Sequence, residues 1–180
     1  MIIETPFKDC FIIKPAFFED ERGSFLLEYN KNQLKQLTGF EGEFVMGNQS
    51  ISKYGVIRGL HIQKGEFAQA KLVRVIQGKI LDVVVDVRIN SKTFGKVFST
   101  ELSKENQKQI LIPRGFLHGF SVLENDTIVA YRCDNYYYPL SEDGVIYNDK
   151  KLNIDWKIPK DKIILSKKDM QLKEFHKFII

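Results

Sequence analysis

Lys79-Ile80-Leu81-Asp82-Val83-Val84-Val85-Asp86-Val87-Arg88 is the stretch that decides the fold. Leu81, Val83, Val85 and Val87 alternate with Asp82, Val84, Asp86 and Arg88. Side chains two apart on an extended backbone share a face, so the run predicts a strand with one dry face and one mixed face. Gln77-Gly78 separates it from an apolar run that begins at Lys71, and residues 71 to 88 therefore read as a hairpin. Lys71 has the parity of Val73 and Val75, which lays its stem along an apolar face. A lysine aimed into a barrel calls for a functional reason.

Short β-branched and aromatic runs recur on both sides, broken by Gly, Pro, Asn or Asp. They cover residues 11–14, 24–28, 43–52, 56–63, 96–102, 109–112, 118–123 and 127–133. So many short strands with close turn signals predict a mostly β protein, a two-sheet barrel of the jelly-roll kind, not a parallel sheet with crossover helices. Two helices are expected. After Asn30, a capping residue with Gln33 three positions on, Leu34 and Leu37 share a face and Gly39 supplies the stop of a short surface helix. Near the end, Ser166 and Asp169 have capping-box spacing before Met170, Leu172, Phe175 and Ile179, which predicts a closing C-terminal helix.

The chain has 180 residues, 43% of them apolar, enough for one ordinary core, and residues 1–180 are read as a single domain. Nothing near Met1 has a signal peptide's basic start and apolar run, and no stretch is long enough to span a bilayer. The expectation is a cytoplasmic protein with Cys10 and Cys133 as reduced thiols. The net charge of +4 is spread along the chain, which favours a small anionic ligand over nucleic acid.

Candidate chemistry gathers around residues 56 to 71, where Arg58 and His61 lie in one run and Lys71 opens the next. A lone strand histidine is more often a structural residue, and His118 in Pro113-Arg114-Gly115-Phe116-Leu117-His118-Gly119-Phe120 shares that default. Small β-barrels that hold metals commonly carry a His-x-His pair, but Ile62-Gln63 follows His61, so no metal is expected. No Gly-x-Ser-x-Gly elbow supports a serine hydrolase. Abstracting a proton beside a carbonyl needs a base, a cation for the enolate oxygen and an acid to return a proton, and His61, Lys71 and Tyr131 match those jobs. Strict alternation puts Arg58 and His61, three apart, on opposite faces unless Gly59 marks a bulge.

Arg58-Gly59-Leu60-His61, Gln69-Ala70-Lys71-Leu72-Val73-Arg74-Val75 and the segment around His118 together resemble the dTDP-4-dehydrorhamnose 3,5-epimerase family. Further matches are Arg22-Gly23-Ser24-Phe25, Tyr136-Tyr137-Tyr138-Pro139, Ile154-Asp155-Trp156 and Leu165-Ser166-Lys167-Lys168-Asp169, so the likeness covers nearly the whole chain. The resemblance implies a cupin-type jelly-roll barrel that needs no metal or cofactor and acts as a homodimer on a nucleotide-linked 4-keto-6-deoxy sugar. It implies that His61 is the base assisted by Asp169, that Lys71 holds the enolate oxygen and that Tyr131 returns the proton. It further implies substrate contacts for Asn48, Arg58, His118, Glu142 and Lys168, with Arg22 and Phe25 brought in from the partner's N-terminal strands. Asp169 also has an ordinary role open to it, as the acid of its capping box.

Departures from the family pattern concern the nucleoside. The family's glutamate five residues after the Arg-Gly arginine falls on Leu27, with Glu28 one place later, and Met46-Gly47 stand where a glutamine and an acid are usual. A one-place slip moves a strand side chain to the other face. The nucleotide, dTDP or GDP, and the sugar, hexose or heptose, therefore stay open, as does inversion at C3, C5 or both. Two other functions are carried alongside: a 4-keto sugar 3,4-ketoisomerase on the same barrel, and a non-catalytic sugar-nucleotide binding module.

Overall fold

The computed structural model describes residues 1–178. In chain order the elements are β1 (Ile2–Glu4), β2 (Phe11–Ile13), β3 (Phe17–Asp20), β4 (Gly23–Leu26), α1 (Lys31–Thr38), β5 (Met46–Ser52), β6 (Ile57–Gln63) and β7 (Lys71–Gln77). They continue with β8 (Lys79–Asp86), β9 (Val97–Ser103), β10 (Gln109–Ile112), β11 (Phe116–Val122), β12 (Thr127–Cys133) and β13 (Glu142–Gly144). One sheet has the order β1-β2-β10-β7-β12-β5, the other β13-β6-β11-β8-β9, and β3 and β4 form a separate hairpin. Strand neighbours distant in sequence and antiparallel pairing throughout make this a two-sheet jelly-roll barrel of the cupin type.

Alternation assigns the faces. Ile12, Val73, Val75, Ile110 and Val129 from the six-stranded sheet meet Ile80, Val84, Phe116, Phe120 and Val122 from the five-stranded sheet in the core between them. The dry face of β8, Leu81, Val83 and Val85, continued by Val87 just past the strand, turns outward and is covered by the chain after β13, through Val145, Leu152, Trp156 and Phe175. Trp156 donates to Tyr147 O at 2.7 Å, and Ser121 Oγ donates to Trp156 O at 2.6 Å, tying this cover to the sheet. Leu34 of α1 packs with Ile13, Leu72 and Leu111 on the outer face of the six-stranded sheet. As expected, Asn30 caps α1 by accepting from Gln33 N at 3.0 Å, and Gly39 ends it at φ 72°. No helix among the described residues is long and apolar enough to cross a membrane.

Two expectations are corrected. Residues 71 to 88 are not a hairpin: β7 pairs with β10 and β12, whereas β8 pairs with β9 and β11 in the other sheet. Gly78, at φ 75°, turns the chain from one sheet to the other with Thr127 so close that a Cβ on Gly78 would lie 2.3 Å from its Oγ1. The closing C-terminal helix is absent among the described residues, where two short 3₁₀ turns, Asp169–Gln171 and Phe175–Lys177, stand instead. Ile179 of the expected helix lies outside the described residues. Ser166 Oγ does accept from Asp169 N at 3.0 Å, but Lys173 bridges to Val145 and Asp169 is held by His61, and these contacts override the local helical pattern.

Candidate active site

Between the sheets the barrel opens into a cavity of about 400 Å³ whose walls include Arg58, His61, Lys71, His118, Tyr131 and Asp169. The local feature that arms it is on β6. Opposite β11, Arg58 aligns with Phe120 and His61 with His118, so three steps along β6 span two along β11. One residue is bulged out at Gly59, and the bulge returns Arg58 and His61 to the same, inward face. Gly59 has φ 106°, and a Cβ there would lie 2.6 Å from His118 O and 2.8 Å from Gly119 Cα. Only glycine fits this crossing.

His61 Nε2 is 2.6 Å from Asp169 Oδ1. With Nε2–H donated to the carboxylate, the lone pair of the neutral ring is on Nδ1. Burial pushes the Asp169 carboxyl up, but the hydrogen bonds from His61 and the Ser166 hydroxyl, with the positive charge His61 carries once protonated, hold it below its ordinary value. Asp169 reaches β6 because Ile164 pairs with β6 on its way past: Ile57 N donates to Ile164 O at 3.0 Å and Ile164 N to Gly55 O at 2.9 Å. Its carboxylate therefore serves His61, beyond any capping role. His118 Nε2 is bound to Asp82 Oδ2 at 2.8 Å, both groups buried, which commits the two histidines to separate carboxylates. No group of metal-binding side chains is found among the described residues.

Lys71 lies half-buried on the inward face of β7, as its parity predicted. Its Nζ sits 5.9 Å from the centre of the Tyr131 ring and has no hydrogen-bond partner among the described residues. Burial pushes its ammonium below the ordinary lysine value, and the nearby Cys133 sulfur and the Asp82 and Glu142 carboxylates only partly offset this. Tyr131, on the inward face of β12, also has a hydroxyl without a partner among the described residues, and burial raises its phenol. A histidine–carboxylate pair, an unpaired cation and an unpaired phenol thus share one water-accessible space, which is the equipment for moving a proton beside a carbonyl.

The other expected residues divide. Arg58 donates through Nε and Nη2 to Ser52 Oγ at 3.3 and 3.2 Å, which fixes its guanidinium in the cavity wall. Asn48 is the cross-strand partner of Tyr131 and points inward, its amide 3.9 Å from Cys133 Sγ. Glu142 accepts from Lys168 Nζ and from Tyr137 OH at 2.5 Å. Burial raises the Glu142 carboxyl, yet those two bonds keep it below its ordinary value. Arg22 and Phe25 are not brought to this cavity. They lie on the β3–β4 hairpin, Arg22 paired with Asp20 and Phe25 67% exposed. Glu28 faces the outer side of the six-stranded sheet, where it pairs with Arg132 and Arg74. Sequence reasoning missed Asp82, Ser52 and Tyr137 as supports. For Asp82 a signal existed, because it shares with Val84 the mixed face of β8.

Comparison with known proteins gives the family. The family model described as dTDP-4-dehydrorhamnose 3,5-epimerase matches residues 4–177. The curated dTDP-4-dehydrorhamnose 3,5-epimerase of Escherichia coli is 43% identical over 95% of this chain and 92% of its own. A crystal structure of that enzyme from Elizabethkingia anophelis superposes with TM-score 0.94 at 52% identity, covering 98% of this chain and 96% of the other. The Legionella pneumophila dTDP-6-deoxy-D-glucose-3,5-epimerase, solved in complex with dTDP-4-keto-L-rhamnose, superposes with TM-score 0.95 at 41% identity over 99% of this chain and 94% of that one. The chain therefore belongs to the dTDP-4-dehydrorhamnose 3,5-epimerase family and is an isomerase of the epimerase type.

Proposed function

We propose that this enzyme inverts C3 and C5 of a dTDP-linked 4-keto-6-deoxyhexose. The observation that carries the proposal is the His61–Asp169 pair facing the unpaired Lys71 and Tyr131 in one cavity. His61 Nδ1 takes the proton from the carbon beside the C4 ketone, and the electron pair moves onto the ketone oxygen as an enolate. The Lys71 ammonium stabilises that oxygen, an interaction worth about 3 to 4 kcal/mol when the donor is well placed. Tyr131 returns a proton from the opposite face, the enolate collapses and the carbon is inverted. His61 then releases its proton to solvent and Tyr131 recovers one from it, so protons and electrons balance without a cofactor. Arg58, steadied by Ser52, is assigned to the diphosphate, Asn48, Glu142 and Lys168 to polar groups of the substrate, and His118, steadied by Asp82, to the sugar.

The dTDP assignment is supported by the relatives' substrates, whereas a GDP-linked or heptose substrate has no such support. A homodimer completes the site in this scheme. Among the described residues the β3–β4 hairpin pairs only with itself, and it presents Phe18 and Phe25, 61% and 67% exposed; a second copy would take Arg22 and Phe25 into its cavity.

The test is to incubate dTDP- and GDP-linked 4-keto-6-deoxyhexoses in heavy water and follow deuterium by NMR. Entry at C3 and C5 of the dTDP sugar, abolished in His61→Asn, is expected. Absence of exchange with either nucleotide would overturn the scheme, and a 3-keto product in place of an epimer would assign ketoisomerase chemistry instead.

A further inference from the structure

Residues 28 and 29 are fastened to the body at several points. The Glu28 carboxylate accepts from Arg132 Nη2 on β12 and lies 3.7 Å from Arg74 Nη1 on β7. The Arg132 guanidinium sits 4.8 Å over the Tyr29 ring, and Gln109 on β10 donates to Glu28 O at 2.9 Å. Three neighbouring strands thus hold one short piece of chain. Immediately before it the β3–β4 hairpin is exposed along its whole length except at Leu26, and among the described residues its only strand pairing is internal. A hairpin this exposed takes its direction from its root.

We propose that Glu28 is a positioning residue: by bridging Arg132 and Arg74 it sets the angle at which the hairpin leaves the barrel and so where Arg22 and Phe25 arrive. The inference rests on the proposed delivery of those two residues to the cavity of a second copy. Glu28 touches neither the substrate nor the reacting groups in this scheme, and Arg132 and Arg74 project from the outer face, away from His61 and Lys71. Loss of the clamp therefore loosens substrate binding while the chemical step is retained. Misplacing a binding group by about 1 Å can cost about a hundredfold, and a hairpin still tethered at its covalent root loses less, about tenfold in KM.

The experiment compares Glu28→Gln, the exchanged pair Glu28→Arg with Arg132→Glu, and Arg22→Ala, measuring kcat, KM and melting temperature on the full chain. For Glu28→Gln the expected result is a KM raised about tenfold with kcat within about twofold, and for the exchanged pair a KM closer to wild type. A lowered kcat with unchanged KM and a lowered melting temperature would make Glu28 merely structural and overturn the proposal. So would a raised KM for Arg22→Ala beside a wild-type KM for Glu28→Gln, which leaves the delivery of Arg22 intact. An unchanged KM for Arg22→Ala would sink the delivery and the clamp together.

Discussion

Replacing Asp169 by Asn tests the core of the proposed chemistry. The substitution keeps size and shape and removes the charge beside His61. When His61 takes a proton it becomes an imidazolium whose Nε2 lies 2.6 Å from Asp169 Oδ1. The Asp169 side chain is 6% exposed and that of His61 27%, so the pair is shielded from water but not deeply buried. With charge centres about 4 Å apart and an effective dielectric constant of about 20, the attraction is about 4 kcal/mol. Because the attraction develops only as the proton moves, its loss falls on the chemical step and lowers kcat by about a thousandfold. An asparagine that turns its NH₂ toward Nε2 also favours the wrong tautomer, which deepens the loss. KM should change little, since Asp169 stands behind the histidine. The assay is deuterium entry at C3 and C5 at saturating substrate, with the melting curve confirming the fold. Exchange within tenfold of wild type in a folded Asp169→Asn protein would refute the role of the pair.

For Tyr131→Phe, deuterium entry should persist through His61 while inverted product falls by about a hundred- to ten-thousandfold, because the proton is returned on the face from which it left. Equal losses of exchange and inversion would count against Tyr131 as the acid. Lys71→Met should abolish turnover yet raise the melting temperature, because folding depresses the pKa of Lys71 below its ordinary 10.5 and so opposes its charged form. The sign follows directly: the wild type's deficit relative to the variant is present below the depressed pKa and shrinks as pH rises through it. Calorimetry across that range checks it. Asp86, buried and bonded to Arg88, Ser91 and Thr93, has its pKa lowered to about 2 from 3.8. A depressed carboxyl stabilises above 3.8 and loses that contribution as pH falls toward 2, so Asp86→Asn should cost about 2 kcal/mol at neutral pH and almost nothing extra near pH 2. A constant deficit at both pH values would contradict it.

Much of the architecture was legible because strands announce themselves locally. Side-chain alternation in β8 and β7 put Leu81, Val83, Val85 and Val87 on one face and Lys71 with Val73 and Val75 on another, and Asn30 and Gly39 bracketed α1. Short, exposed strands such as β3 gave no such alternation, and β1, β3 and β13 went unread. Capping spacing at Ser166 suggested a helix that contacts elsewhere in the chain replaced with 3₁₀ turns. In the site, residue types and order pointed to His61, Lys71 and Tyr131, and parity correctly flagged Arg58 as a difficulty.

The sequence by itself determined which side chains share a strand face and which chemical groups the chain carries, since both depend on neighbours one and two places away. Tertiary structure alone decided that β7 and β8 part company into different sheets, that the Gly59 bulge against His118 and Gly119 turns Arg58 inward beside His61, and that Asp169 meets a histidine 108 residues earlier. It also chose Asp82 for His118 and turned Glu28 outward onto Arg132 and Arg74. These pairings depend on which surfaces bury one another when the sheets close, and that is a property of the whole packed chain, with no signature in any local stretch.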